Sequence, residues 1–472
     1  MRKGRIMAAV MAAAMVCGAA APFTAERSGC VITASALDYA EVVEGDLTFN
    51  VYSDYAVLVH CDESIAGNIN VPSSINGVTV TCIEGEAFEK CEKLESVVIP
   101  NSIIDIGERA FNGCISLKSI NIPNGVSTMR RAVFHDCEQL EEVAFPDSVE
   151  TIEPLAFGNC RSLKTVSITK NIKEISSTAF LTETVGHWFF VGGKTGQRER
   201  GIESITVSED NHYFSSIDGV LFNKDKTLLI CYPFGKNCES NTYSIPNGVV
   251  EIGDYAFFEN QNIDKIVFSN TVEIIGKEAF YACYFLKECE LSSNLKLIKN
   301  ASFSCTSDLE RITLPKSLEK IGSGAFYYTG LCEITILNPD CDIYGGKETY
   351  TCREEVEKEC IRGYVSSTAQ AYAEKYGYRF EALDGEPPKT VSFGDPNCDG
   401  KVDSKDASFI LAEYSKLSTG AETEPLPTEI KNAADVNADG MLDAKDASAI
   451  LGYYSYISTG GSGDISEYMS KN

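Results

Sequence analysis

An Ala-Phe pair recurs along this chain at a fixed interval, with Phe88, Phe111, Phe134, Phe157 and Phe180 in one block and Phe257, Phe280, Phe303 and Phe326 in a second. Within each block the spacing is 23 residues. A unit that short cannot enclose a core of its own, so each one must bury its apolar face against its neighbours and the chain must stack. One unit, Ile103 to Val126, opens with Ile106-Gly107 and turns through Ala110-Phe111. It then gives Leu117, Ile120 and Ile122 before Pro123, and the alternation in that last stretch predicts a short strand with one face inward. The residues predicted to face outward are Val98, Asn121, Ala144, Ser167, Val267, Glu290, Thr313 and Thr335. They are short and mostly uncharged, which suits a flat binding surface better than a catalytic cleft.

This unit resembles the BspA-like bacterial surface leucine-rich repeats, over residues 67 to about 340. The resemblance implies an α/β-type leucine-rich repeat solenoid made mostly of short strands and turns. We place the solenoid at residues 67–345, with an insertion at 181–245 that falls within the 77 residues separating Phe180 from Phe257. The insertion begins with a loop bearing His187, Trp188, Phe189 and Phe190 and continues into a hairpin-like stretch from Tyr213 to Pro233. Solenoids need capped ends. The alternating stretches LTFNVY and YAVLVH in residues 37–66 predict an N-terminal β cap, and residues 346–384, with a helix around Ala369, Tyr372 and Tyr376, predict a C-terminal one. Residues 385–393 read as a linker.

Two positions within the repeat carry chemistry. Cys91, Cys114, Cys137, Cys160 and Cys283 all lie three residues after the repeat Phe, where other units have Asn260, Thr306 and Thr329. Sharing of one site by Cys, Asn and Thr points to a small buried group that satisfies turn backbone, and so to free thiols. Stacked repeats nonetheless sit within disulfide reach of one another, and 18 cysteines in a secreted chain also fit a bridged ladder. The residue directly after each Phe is Glu89, Asn112, His135 and Gly158 in the first block but Phe258, Tyr281, Ser304 and Tyr327 in the second. Phe258, Tyr281 and Tyr327 are thus candidates for an aromatic stripe that binds sugar rings or a protein. The alternative is rings folded down onto their own turns.

Near the C-terminus a second repeat appears, DPNCDGKVDSKD from Asp395 to Asp406 and DVNADGMLDAKD from Asp435 to Asp446. Each copy places oxygen ligands at loop positions 1, 3, 5, 9 and 12, a backbone carbonyl at position 7 and Gly at position 6, the order of an EF-hand calcium loop. The candidate ligands are Asp395, Asn397, Asp399, Lys401 through its carbonyl, Asp403 and Asp406, then Asp435, Asn437, Asp439, Met441 through its carbonyl, Asp443 and Asp446. Gly400 and Gly440 permit the sharp turn. Four carboxylates in twelve residues repel one another by roughly 1 to 4 kcal/mol per close pair unless a hard cation separates them. Ca2+ suits such a set better than Mg2+, which demands a stricter octahedron. Two structural Ca2+ ions are therefore expected, and removing them should unfold this small region while the solenoid persists.

The duplication runs on without a gap, with 16 of 26 positions identical between Asp395–Gly420 and Asp435–Gly460. After the loops, Ile410, Leu411 and Tyr414, and again Ile450, Leu451 and Tyr454, recur at helical spacing, so each loop leads into one amphipathic helix. No helix is predicted before either loop. A duplicated loop and helix with Asp at position 12 resembles the type I dockerin of cellulosomal proteins, here 394–465, expected as a small all-α calcium-binding domain. The resemblance implies docking into a cohesin domain of a scaffoldin through loop positions 10 and 11 and the helix that follows. Those positions are Ser404 and Lys405 in one copy and Ala444 and Lys445 in the other. Lysine at both position 11 sites departs from the hydroxyl pairs of clostridial dockerins and implies a different cohesin specificity group. The likeness of the copies allows two docking modes related by a half turn.

The net charge of −27 argues against nucleic-acid binding. Residues 1–36, with a basic start, an apolar run and Ala34-Ser35-Ala36, read as a secretory signal, with cleavage after Ala36 or after Ala25. No other stretch is apolar enough to insert in a membrane. The four histidines are scattered and no hydrolase or phosphate-loop motif is present. The expected protein is secreted, extracellular, cellulosome-bound and non-catalytic, with repeats that bind a protein or polysaccharide target. A glycoside hydrolase component and a surface adhesin are the alternatives.

Overall fold

The computed structural model describes residues 39–181, 201–352, 360–383, 392–397, 401–419, 426 and 428–471. Residues 1–36, read above as a secretory signal, and the His187–Phe190 segment lie outside them. The chain divides into two compact units, residues 1–361 and 362–472.

The first unit starts with an antiparallel meander, Ala40–Glu44, Leu47–Val51 and Ala56–Cys61, which joins the parallel repeats through Val78–Ile83. From there two ladders of short parallel strands run along the stack. One is made of two-residue strands such as Thr128–Met129, Thr151–Ile152 and Glu174–Ile175, paired at the 23-residue period. The other holds the leucine-pattern strands, for example Arg311–Leu314 on Glu333–Ile336. The predicted outward positions are exposed or partly so, except Thr335, which is buried.

The Ala-Phe pair persists because it closes a third set of contacts. The N–H of each Phe donates to the carbonyl one residue before the next Phe, as in Phe134 to Ala156 at 2.9 Å and Phe257 to Ala279 at 2.8 Å. The rings then stack through the interior with centroids 4.8 to 6.1 Å apart. Residues two before and two after the Phe take left-handed backbone conformations in most units, among them Arg109, Leu155, Asn159, Glu278 and Ala282. Ordinary side chains there cost on the order of 1 kcal/mol each, which the shared hydrogen bonds offset.

The insertion ends earlier than the Ala-Phe spacing suggests. Phe214–Ile217 and Val220–Asn223 form an antiparallel hairpin with Leu228–Cys231, and that last strand already pairs in parallel with Glu251–Ile252. Tyr232 takes the place of the missing Phe: its N–H donates to Ala256 O at 2.8 Å and its ring stacks on Phe257 at 5.0 Å.

The ladder cysteines are thiols that satisfy turn backbone. Cys114, Cys137, Cys160 and Cys283 each donate to the Phe carbonyl of the preceding unit at 3.1 to 3.3 Å. No disulfide joins the described cysteines.

The second unit opens with the helix Thr368–Tyr376, capped by Ser367 and ended by left-handed Gly377, followed by the strand Arg379–Ala382. Among the described residues after it, four helices follow: Ser404–Thr419, Thr428–Ala434, Ala444–Ser458 and Ile465–Lys471. Ala407, Ile410, Ala434, Val436, Leu442, Ala447, Ile450 and Ile465 form one small core. The seven-residue helix Thr428–Ala434 directly precedes the second loop, contrary to the reading that no helix does so. Its sequence is too short to show a period, and it forms because Ala433 and Ala434 are buried.

Candidate functional site

The second acidic loop is held by its own carboxylates. Asp435 accepts the N–H groups of Asp439 and Gly440 at 3.1 and 2.8 Å, Asn437 accepts that of Asp439 at 2.9 Å, and Asp439 accepts that of Met441 at 2.9 Å. Gly440 sits at φ 80°, the left-handed turn its position requires. Asp446 is fully buried and ties the loop ends together, accepting from Asn437 N at 3.3 Å and Asp443 N at 3.0 Å. Asp443 in turn caps the following helix by accepting from Lys445 N. Sequence positions 1, 3, 5, 9 and 12 are therefore drawn into one turn by the backbone itself.

The first loop repeats this arrangement wherever it is described. Asp406, also fully buried, accepts from Asn397 N at 3.4 Å and Asp403 N at 2.8 Å, and Asp403 accepts from Lys405 N at 2.7 Å. Asp399 and Gly400 lie outside the described residues.

Burial, followed by the charges of Asp435 and Asp443, raises the Asp446 carboxyl above its ordinary value. An all-oxygen set of Asp, Asn and backbone carbonyl is the donor chemistry of Ca2+. Among the described residues no group of three or more His, Cys, Asp or Glu side chains is gathered closely enough to hold an ion as it stands. The carboxylates are instead engaged with loop N–H groups, and the second loop fits calcium by donor type and order.

The predicted partner-contact positions are all at the surface. Ser404, Lys405, Ala444 and Lys445 are exposed at the first turn of their helices. Lys445 also extends its ammonium to 3.5 Å from Asp439 and 3.8 Å from Asp443, an exposed contact that solvent screens. Of each helical triplet only Ile410 and Ile450 enter the core. Leu411, Tyr414, Leu451 and Tyr454 stay 41 to 44% exposed, so the two copies present matching apolar faces. Sequence spacing had assigned these residues to the helix but not to its outer side.

Two features of this region lay outside the sequence pattern. The helix Ile465–Lys471 folds back so that Tyr468 meets Tyr453 and Tyr456 at 5.7 and 5.3 Å. Gly394, at φ 85°, leaves room for it, since a Cβ there would lie 2.7 Å from Ile465 Cδ1. The only advance sign was Gly394 itself, directly before the first loop.

The aromatic column in the solenoid is shorter than predicted. Phe258 and Tyr281 stack at 5.1 Å and 10° and are half-buried. Ser304 then breaks the row: it is buried and its hydroxyl donates to Tyr327 O. Tyr327 is exposed and meets the neighbouring Tyr328. In the first block the same column is a polar chain, in which Asn112 Nδ2 donates to Glu89 at 2.8 Å and His135 Nδ1 lies 3.2 Å from Asn112 Oδ1 and 3.1 Å from Asp136. Asn159 and Arg161 extend it, as Asn159 Nδ2 donates to Asp136 and Arg161 Nε donates to Asn159.

Comparison with known proteins agrees with this architecture. The family model for the BspA type leucine rich repeat region matches six copies, over residues 65–185 and 231–345, together half of the chain. The model for the dockerin type I domain matches residues 393–453, a family that binds calcium. No curated protein matches the chain. Among solved structures, the pneumococcal vaccine antigen PcpA is similar at 20% identity, over 73% of this chain and 99% of that one, with a TM-score of 0.53. A leucine rich cell surface protein from Faecalibacterium prausnitzii shares 21% identity over 67% of this chain and 97% of that one, with a TM-score of 0.43. At such identities the likeness speaks of fold alone. Both matched families are binding modules typical of extracellular proteins, and among the described residues no helix is long and apolar enough to cross a membrane. Its repeats, matched over half its length and stacked as a solenoid, show that the chain belongs to the BspA-type leucine-rich repeat proteins, and it joins to those repeats a type I dockerin domain.

Proposed function

We propose that this is a secreted, non-catalytic component of a cellulosome-type assembly. Its dockerin attaches it to a scaffoldin cohesin, and its repeats hold a protein or polysaccharide target. The observation that carries this reading is the duplicated loop and helix, with buried Asp406 and Asp446 tying equivalent loops and with matching exposed faces at Leu411 and Tyr414 and at Leu451 and Tyr454.

Two Ca2+ ions would be held by Asp395, Asn397, Asp399, the Lys401 carbonyl, Asp403 and Asp406, and by Asp435, Asn437, Asp439, the Met441 carbonyl, Asp443 and Asp446. Bound calcium supplies positive charge that cancels carboxylate repulsion and fixes the turn, with no catalytic part. The chain's own residues do the recognition. Asp403 and Asp443 orient the first helical turn, which sets Ser404, Lys405, Ala444 and Lys445 beside the apolar helix faces. Because both copies present the same elements, either one serves as the cohesin face.

An array of recombinant cohesins tests this. The full chain should bind at least one cohesin in Ca2+ and release it in chelator, while liberating no sugar from cellulose, xylan or pectin. Sugar release that follows the purified chain would replace this reading with an enzymatic one.

A further inference from the structure

A cleft of the solenoid opens where its regular stacking is interrupted. The two-residue ladder runs through Thr128–Met129, Thr151–Ile152 and Glu174–Ile175, stops, and resumes with Leu228–Leu229 against Glu251–Ile252. Between the two runs lies a cavity of about 740 Å³, within the size range of ligand sites. Lys173, Glu174, Ile175, Ser176 and Ser177 line one side, and Phe214, Asn223, Leu228 and Ile230 line the hairpin side.

The ladder stops with unmet hydrogen-bonding capacity. One unit earlier, Glu150 O accepts the N–H groups of Lys173 and Glu174 at 2.8 and 3.2 Å, and Ile152 O accepts that of Ser176 at 2.9 Å. The equivalent carbonyls at this edge, Lys173 O and Ile175 O, receive no donor among the described residues. In most other units the next strand of the ladder fills these positions, for example Gly276 N on Ile252 O at 2.8 Å. Two carbonyls two residues apart match the N–H spacing along one edge of an extended chain.

The charge of the cleft selects the sequence of such a strand. Its lining carries Glu153, Glu174, Glu251 and Asp254 against Lys173 and Lys299, an excess of two carboxylates. Both lysines are already engaged, Lys173 with Glu150 at 2.6 Å and Lys299 with Glu251 at 2.9 Å. Glu174 is exposed and makes no ion pair among the described residues. Phe214, Leu228, Ile230 and Ile175 supply apolar surface beside it.

We infer that this cleft takes an extended peptide segment of a partner protein, added as a parallel strand to Glu174–Ile175, with a basic side chain toward Glu174 and apolar side chains toward Phe214 and Ile230. The inference deepens the proposed binding role of the repeats by naming a protein as the target, and it is independent of the cohesin-binding region.

The test is fluorescence anisotropy of dye-labelled synthetic peptides alternating lysine and valine, titrated with the full chain. A glutamate-for-lysine peptide and a backbone N-methylated peptide serve as controls. Binding of the lysine peptide alone is expected, weakened at least about tenfold by Glu174→Lys and by Ser177→Trp, which fills the cleft. Glu174 is exposed, so its variant keeps the test decisive if the tryptophan variant fails to fold. Equal binding of the glutamate or N-methylated peptide, or binding indifferent to Glu174→Lys, overturns the inference. So does a cleft that answers only to xylan or cellulose oligosaccharides, which would leave the general binding role standing, or a dimer that Ser177→Trp dissolves.

Discussion

Phe280 is a fully enclosed ring of the interior stack with three ring neighbours, and gives the sharpest stability prediction. It is 1% exposed and lies between Phe257 at 4.9 Å and Phe303 at 5.0 Å, with Phe268 edge-on at 5.9 Å. Replacing a buried Phe by Ala costs about 3 to 5 kcal/mol, and each ring pair adds about 0.5 to 1.5 kcal/mol beyond area burial. With three ring neighbours, Phe280→Ala should fall at the top of that range, about 5 kcal/mol. Phe180 is 9% exposed and has one ring neighbour among the described residues, Phe157 at 6.1 Å. Phe180→Ala should therefore cost about 3 kcal/mol. The difference follows because Phe280 loses stacked rings on both sides where Phe180 loses one among the described residues. Urea unfolding of the full chain, followed by far-ultraviolet circular dichroism, reads both values. A loss below about 2 kcal/mol for Phe280→Ala, or a Phe180→Ala loss as large, would refute the stacking account.

Three further outcomes follow from the geometry. Burial pushes the thiols of Cys114, Cys137, Cys160 and Cys283 upward, so iodoacetamide at mildly alkaline pH should leave these buried cysteines unmodified until denaturant is added. His135, foremost, holds the Asp136 carboxyl below its usual value. A lowered carboxyl contributes stability that is complete above the unfolded value near about 4 and is lost as pH falls through the folded one. Asp136→Asn should flatten that acid-side loss in thermal melts, and an unchanged pH profile would rule the contact out as its source. Leu411→Asp together with Leu451→Asp should abolish cohesin capture without shifting the helical signal, since both side chains lie outside the core, whereas either change alone should leave one docking face intact.

Periodicity made the solenoid legible because it records which side chains touch the next unit, and the Phe, Cys and Leu columns do so directly. It misled where the contact is kept by a different residue. Tyr232 carries the ring stack and the hydrogen bond of a repeat Phe, yet the Ala-Phe spacing places it inside an insertion. Ser304 interrupts the outward aromatics because its hydroxyl turns to backbone, a choice no side-chain pattern records. In the paired loops ligand order was readable from residue types. The short helix Thr428–Ala434 and the return of Ile465–Lys471 were not, because both depend on burial against residues distant in sequence. The cleft between ladder runs was hidden for a related reason: it is made by carbonyls left over when a period stops.

Calorimetric titration of the full chain, stripped of metal and then resupplied with Ca2+ before a cohesin is added, bears on the central claim most directly. Two calcium ions should be taken up per chain, with cohesin heat only from the calcium-loaded protein. A chelated chain that binds cohesin as tightly, or a loaded chain that takes up no calcium, would contradict it.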